Sequence, residues 1–172
     1  ADISNITDVW RSELYAYPND YTTIKTDHSG STGFSGSTAA LAKWHRFVDA
    51  DEAALRMPTA APDEYRCGGR YPGWLRDSHP SVGGVKVAAE VCFARSSNQC
   101  YYKRTIEVCA CSYDGGSTAT MVYKLPRSPV NQGVYCSSAM PLPPPLPPLP
   151  PPQSRRRSFR LRLHPGWRAT CG

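Results

Sequence analysis

Seven cysteines and four histidines are the residues of this chain best equipped for chemistry. A nucleophilic thiolate needs an adjacent base, which makes Cys67 with His45 or His79 the pair to consider. No nucleophile elbow or helix start surrounds Cys67, and a cysteine engaged in a bridge cannot attack. His45 with Asp49, Asp51 and Glu52 offers nitrogen and oxygen ligands. Their spacing matches neither an EF-hand loop nor a zincin helix, so a solvated acidic turn is the plainer reading. No acid–base pair, nucleophile motif or phosphate loop stands out. The sequence therefore predicts no catalytic residue, no metal and no cofactor. The cysteines also avoid the Cys-x-x-Cys spacing of zinc and thioredoxin-like sites, and their number exceeds cytosolic usage. Disulfides in an oxidising compartment are expected instead.

Two surface features could recognise something. Asn5-Ile6-Thr7 is a sequon for N-linked glycosylation. Trp44, Trp74, Tyr101 and Tyr102 could form a platform that stacks on apolar sugar faces. Such residues are more often core, and Trp74, beside Pro72 and Gly73, is the binding candidate to test. Charge argues against nucleic acid as a partner. Of the 20 basic residues six are arginines after position 150 (Arg155, Arg156, Arg157, Arg160, Arg162 and Arg168), and the other 14 balance the 14 acidic groups of residues 1–140. No apolar run approaches the roughly 20 residues of a membrane span. The chain opens at Ala1 without a signal-like segment, as a mature secreted chain or an excised fragment would.

The elements that must position these residues divide the chain in three. Residues 1–40 are polar and loop-rich, with Ser29–Thr38 reading as a flexible loop. Trp10, Leu14, Tyr15 and Tyr17 are the expected anchors there. Residues 41–137 form a β-rich body. Strands are expected around Trp44–Val48 and Gly84–Phe93. From Tyr102 to Ala110, Tyr102, Ile106, Val108 and Ala110 share one face, with Arg104 breaking the apolar pattern. Ala119, Met121, Tyr123 and Leu125 share a face as well, and Asp114-Gly115-Gly116 joins the two runs as a hairpin. Glu52–Met57 is expected as a short helical turn ended by Pro58. Residues 138–172 hold nine prolines within Pro141–Pro152, which read as polyproline II extending roughly 37 Å. An arginine-rich end follows, so this part is expected to be an extended or disordered tail. Its Pro-x-x-Pro repeats resemble SH3 ligands, although such partners are cytosolic.

Several ordered segments together resemble one family. They are Asn5-Ile6-Thr7 with Trp10-Arg11-Ser12, Trp44-His45-Arg46-Phe47, Arg56-Met57 and Arg66-Cys67-Gly68, followed by Trp74-Leu75 with His79-Pro80, Val122-Tyr123-Lys124-Leu125 and Tyr135-Cys136. The chain resembles the eight-cysteine extracellular domain of uromodulin, zymogen-granule glycoprotein 2 and related proteins. The resemblance implies bridges Cys67–Cys136 and Cys92–Cys100, and two further family bridges are missing as whole pairs. Cys111 matches a family cysteine whose partner, expected near Ile3 or Ser4, is absent, and Cys109 is extra. A Cys109–Cys111 bridge, thiols and an intermolecular bond all stay open, and Cys171 lies outside the resemblance.

The fold expected is mainly β, a small disulfide-stabilised antiparallel sheet with long loops and an extended C-terminal tail. The function implied is a non-catalytic, secreted recognition or presentation module of a larger glycoprotein. Its partners would be extracellular proteins or glycans, including microbial adhesins through a glycan on Asn5. The alternative is a carbohydrate-binding module that uses exposed aromatics.

Overall fold

The computed structural model describes residues 3–13, 15, 25–28, 42–81, 84–112 and 119–139. Leu14, Tyr17, the Ser29–Thr38 loop, the Asp114–Gly116 turn and the Pro/Arg-rich tail with Cys171 lie outside the described residues.

Among the described residues nine strands form one sheet. They are β1 (Ile3–Ile6), β2 (Lys43–Val48), β3 (Ala54–Arg56), β4 (Tyr71–Leu75), β5 (Lys86–Arg95), β6 (Asn98–Ser112), β7 (Ala119–Leu125), β8 (Gly133–Tyr135) and β9 (Ser138–Ala139), with a 3-10 turn at Val9–Arg11. The order is β8-β4-β5-β6-β7-β2-β3-β9, and β1 is added to β2. Most pairings are antiparallel, as the sequence leads one to expect. Two are parallel, β1 with β2 and β4 with β8.

The longest ladder, β5 with β6, runs from Lys86↔Cys109 to Arg95↔Asn98. Its residues are rich in Val, Ile, Thr and aromatics, which suit a pleated, half-buried surface. Alternation sends Ala89, Val91 and Phe93 of β5 and Ile106, Val108 and Ala110 of β6 to one face. Met121, Tyr123 and Leu125 of β7 join them, as do Phe47 and Leu75. The opposite face is not uniformly wet. Cys109, Cys111 and Val122 are buried there, with Ile3 and Trp44 packed against them. The parallel strand β1 brings Ile3 beside Trp44, and this covers a patch that alternation alone would leave to solvent.

Glu52–Met57 is not helical. The Asp49 carboxylate accepts N–H bonds from Asp51 and Ala53 at 3.0 and 2.8 Å, closing a tight turn. Ala54–Arg56 then pairs with β2 on one side and β9 on the other. Helix-forming side chains there are overruled by the ladder hydrogen bonds of two neighbours. Tyr15 is not a buried anchor either, since it is 40% exposed.

Gly73 sits where strands crowd. A Cβ built there would stand 2.8 Å from both Phe93 Cε1 and the Val134 carbonyl oxygen. The Pro72-Gly73-Trp74 sequence therefore lets β5 and β8 flank β4 closely.

Candidate functional site

Asn5 lies on β1, and the parallel register places it beside Arg46 of β2. Its side chain is exposed. The Arg46 guanidinium donates from Nε to Asn5 Oδ1 at 2.6 Å. That bond engages the oxygen and leaves Nδ2, the atom an N-linked sugar occupies, outside it. Thr7, which completes the sequon, is also exposed. Just beyond the end of β1 lies a cleft of about 270 Å³ whose wall includes Thr7, Asp8, Val48, Asp49, Leu55 and Ser138.

The four aromatics expected as a sugar platform are not brought together in one plane. Trp44 packs against Cys109, Cys111 and Val122. Tyr102 leans on the core and meets Tyr71 edge-on at 5.6 Å. Tyr101, 47% exposed, contacts Tyr102 at 4.8 Å, and the Arg95 guanidinium lies 4.8 Å from its ring centroid. Trp74 is half-buried on β4 opposite Cys92, and its indole N–H donates to the Gln99 carbonyl at 2.8 Å.

The cysteines are mostly committed. Cys67 is bonded to Cys136 and Cys92 to Cys100. Cys109 and Cys111 are not bonded to each other, since their sulfurs stand 3.6 Å apart. Burial raises the Cys109 thiol above its usual range, with Lys86 opposing the shift, so it is a poor source of thiolate.

The histidines have structural work. Tyr123 Oη accepts the Met57 N–H at 2.9 Å and lies 2.9 Å from His79 Nε2. The His79 tautomer sets which of the two donates in that bond. Burial, helped by Arg56, lowers His79 to about 4. Burial, with Arg11 and Lys43, lowers His45 to about 4 as well. Asp49 serves its turn, while Asp51 and Glu52 are exposed. The only potential ligand group among the described residues, Glu90 with Cys92 and Cys100, contains both sulfurs of a disulfide.

The strongest electrostatic feature escaped the sequence reading of roles. Arg11 and Asp27 are 1% and 0% exposed. Arg11 Nη1 and Nη2 donate to Asp27 Oδ2 and Oδ1 at 2.6 and 2.8 Å, a bidentate pair. Asp27 Oδ2 also accepts the Tyr135 N–H at 2.8 Å, and Arg11 Nη1 reaches the Tyr135 carbonyl at 3.3 Å. Burial drives the Asp27 carboxyl upward against the pull of Arg11. Trp10 completes the cluster. Its ring lies under the Arg11 guanidinium at 4.2 Å and packs on the Cys67–Cys136 bridge. Arg11 stands between Trp10 and Ser12 in the opening motif, and that motif was the one available signal. A partner 16 residues away in polar sequence had none.

Residues 45–137, more than half of the chain, match the family described as the uromodulin-like D8C domain. The chain is 31% identical over 126 residues to the pancreatic secretory granule membrane major glycoprotein GP2 of Mus musculus, covering 70% of this chain and 23% of that protein. It is 32% identical over 107 residues to the GP2 of Homo sapiens, covering 62% and 19%. Against the uromodulin of Mus musculus it is 29% identical over 132 residues, covering 77% and 17%. The chain thus spans about a fifth of the length of the curated relatives it matches. No helix among the described residues is long and apolar enough to cross a membrane. With its bridged, all-β body and this match, the chain belongs to the uromodulin-like D8C family and is a secreted or extracellular glycoprotein domain.

Proposed function

We propose that this domain is a non-catalytic recognition or presentation module within a larger extracellular glycoprotein, and that it presents a glycan on Asn5 to extracellular proteins, microbial adhesins among them. The observation that carries the reading is the exposed Asn5 side chain. Arg46 holds its oxygen and leaves the linking nitrogen out of that bond. The non-catalytic part is supported by the employment of the reactive groups. Cys67 is bridged, His79 is tied to Tyr123, and Asp49 closes a turn.

The test is expression through a mammalian secretory pathway, mass mapping of Asn5 occupancy, and capture by a mannose-specific adhesin. Capture should be lost in Asn5→Gln and unchanged in Trp74→Ala. The alternative, sugar binding by exposed aromatics centred on Trp74, makes the opposite forecast. Enzymatically deglycosylated protein would then still bind a glycan array, and Trp74→Ala would abolish the binding. An unoccupied Asn5 overturns the presentation reading.

A further inference from the structure

The cleft beside β1 is aligned with the sequon. In the parallel β1–β2 ladder, Ile3 pairs with Trp44 and Asn5 with Arg46, and residues two apart on a strand share a face. Thr7 follows Asn5 by two residues, a step of about 6.5–7 Å in extended chain, and Val48 stands two residues after Arg46 on β2, on the same face as Arg46. Thr7 and Val48 are both in the cleft wall. The cleft therefore begins two residues along the chain from Asn5, at the last residue of its sequon.

Its volume of about 270 Å³ falls just under the roughly 300–1,000 Å³ of drug-sized ligand sites, which suits one sugar ring better than an oligosaccharide. The chemistry of the wall suits an N-acetylated sugar. Val48 and the methyl of Thr7 offer apolar contact for an acetyl methyl. Asp49 uses Oδ1 in its turn and Asp8 uses Oδ2 toward Arg11. Each carboxylate thus keeps a second oxygen for hydroxyl or amide donors.

We propose that this cleft is the seat of the innermost N-acetylglucosamine of the Asn5 glycan, which fixes the direction in which the outer sugars project. The proposal rests on Asn5 carrying a glycan. Seating of the first sugar orders the stem and leaves the distal residues clear of the protein surface.

The experiment uses the secreted chain with its glycan trimmed by an endoglycosidase to a single N-acetylglucosamine. Magnetisation transfer should appear between the acetyl methyl and the methyls of Thr7 and Val48. Release of the sugar by an amidase should be about tenfold faster in Ala50→Trp, where the new ring fills the cleft from the exposed β2–β3 turn. Should Ala50→Trp fail to fold, the magnetisation transfer in the unsubstituted protein decides alone. Absence of any glycan at Asn5 overturns both this inference and the presentation reading. An occupied Asn5 without methyl contacts, and with release unchanged in a folded Ala50→Trp, overturns the seat alone.

Discussion

Replacing Asp27 by Asn keeps the size of the side chain and removes its charge. In the native cluster both carboxylate oxygens face donors, Oδ1 facing Arg11 Nη2 and Oδ2 facing Arg11 Nη1 and the Tyr135 N–H. Whichever way the Asn amide is turned, its NH2 group meets at least one of those donors. Arg11, 1% exposed, loses its buried counter-charge and keeps its Nε bond to the half-exposed Asp8, at 3.0 Å. Breaking a buried pair costs about 3–5 kcal/mol, and the remaining Asp8 contact places this case near the lower figure, about 3 kcal/mol. For a domain of ordinary stability that is a large share of roughly 5–15 kcal/mol. Urea unfolding at pH 7 measures it as a fall in midpoint with an unchanged m-value. The double variant Arg11→Met with Asp27→Leu should recover most of the loss, because it removes the desolvation cost together with the attraction. An Asp27→Asn protein within about 0.5 kcal/mol of the parent, the scatter of ordinary surface changes, would refute the assignment of Arg11 as a buried charge held by Asp27.

The two bridges close loops of very different length, 69 and 8 residues of separation. On chain-entropy grounds, removing Cys67–Cys136 should cost roughly 4 kcal/mol and removing Cys92–Cys100 roughly 2.5 kcal/mol. Matched Ser pairs in thermal unfolding test that order. Gly68 has φ near +70°, and an added Cβ would lie 2.8 Å from Trp10 Cε3. Gly68→Ala should therefore lose about 1–3 kcal/mol, part of it restored by a smaller residue at position 10. His79 and His45 are both held neutral, at about 4 against an ordinary 6.5. Between these values the unfolded chain binds more protons, so stability is full above about pH 6.5 and declines as pH falls toward 4. His79→Gln keeps an acceptor for Tyr123 without titrating, and should flatten part of that decline in pH-resolved urea titrations.

The strands β5, β6 and β7 were legible because a single buried face writes a period of two into Ala89–Val91–Phe93, Ile106–Val108–Ala110 and Met121–Tyr123–Leu125. What the alternation could not convey came from distant partners. Cys109 and Cys111 fall on the face opposite that of Ile106 and Val108, yet Ile3 on a strand more than 100 residues earlier helps cover them. The segment Ala54–Arg56 carries helix-favouring residues, and its strand state depends on β2 and β9, neither of which local propensity can foresee. The sequon marks Asn5 as a candidate, but its neighbour Arg46 and the cleft past Thr7 follow from a parallel register spanning 41 residues. Trp74 was picked out by its Pro-Gly neighbours, while its bond to Gln99 depends on the β5–β6 hairpin folding back beneath it.

The segment after β8 returns to the segment after β1. Ser12 and Ser137 form a parallel bridge, the Glu13 N–H donates to the Ser137 carbonyl at 3.0 Å, and the Ser137 N–H donates to the Arg11 carbonyl at 2.8 Å. Stretches 125 residues apart in the chain are thus laced side by side, next to the Cys67–Cys136 bridge on which Trp10 packs. Early and late parts of the chain therefore close the domain on each other, and neither stretch completes its backbone hydrogen bonding until the other has arrived.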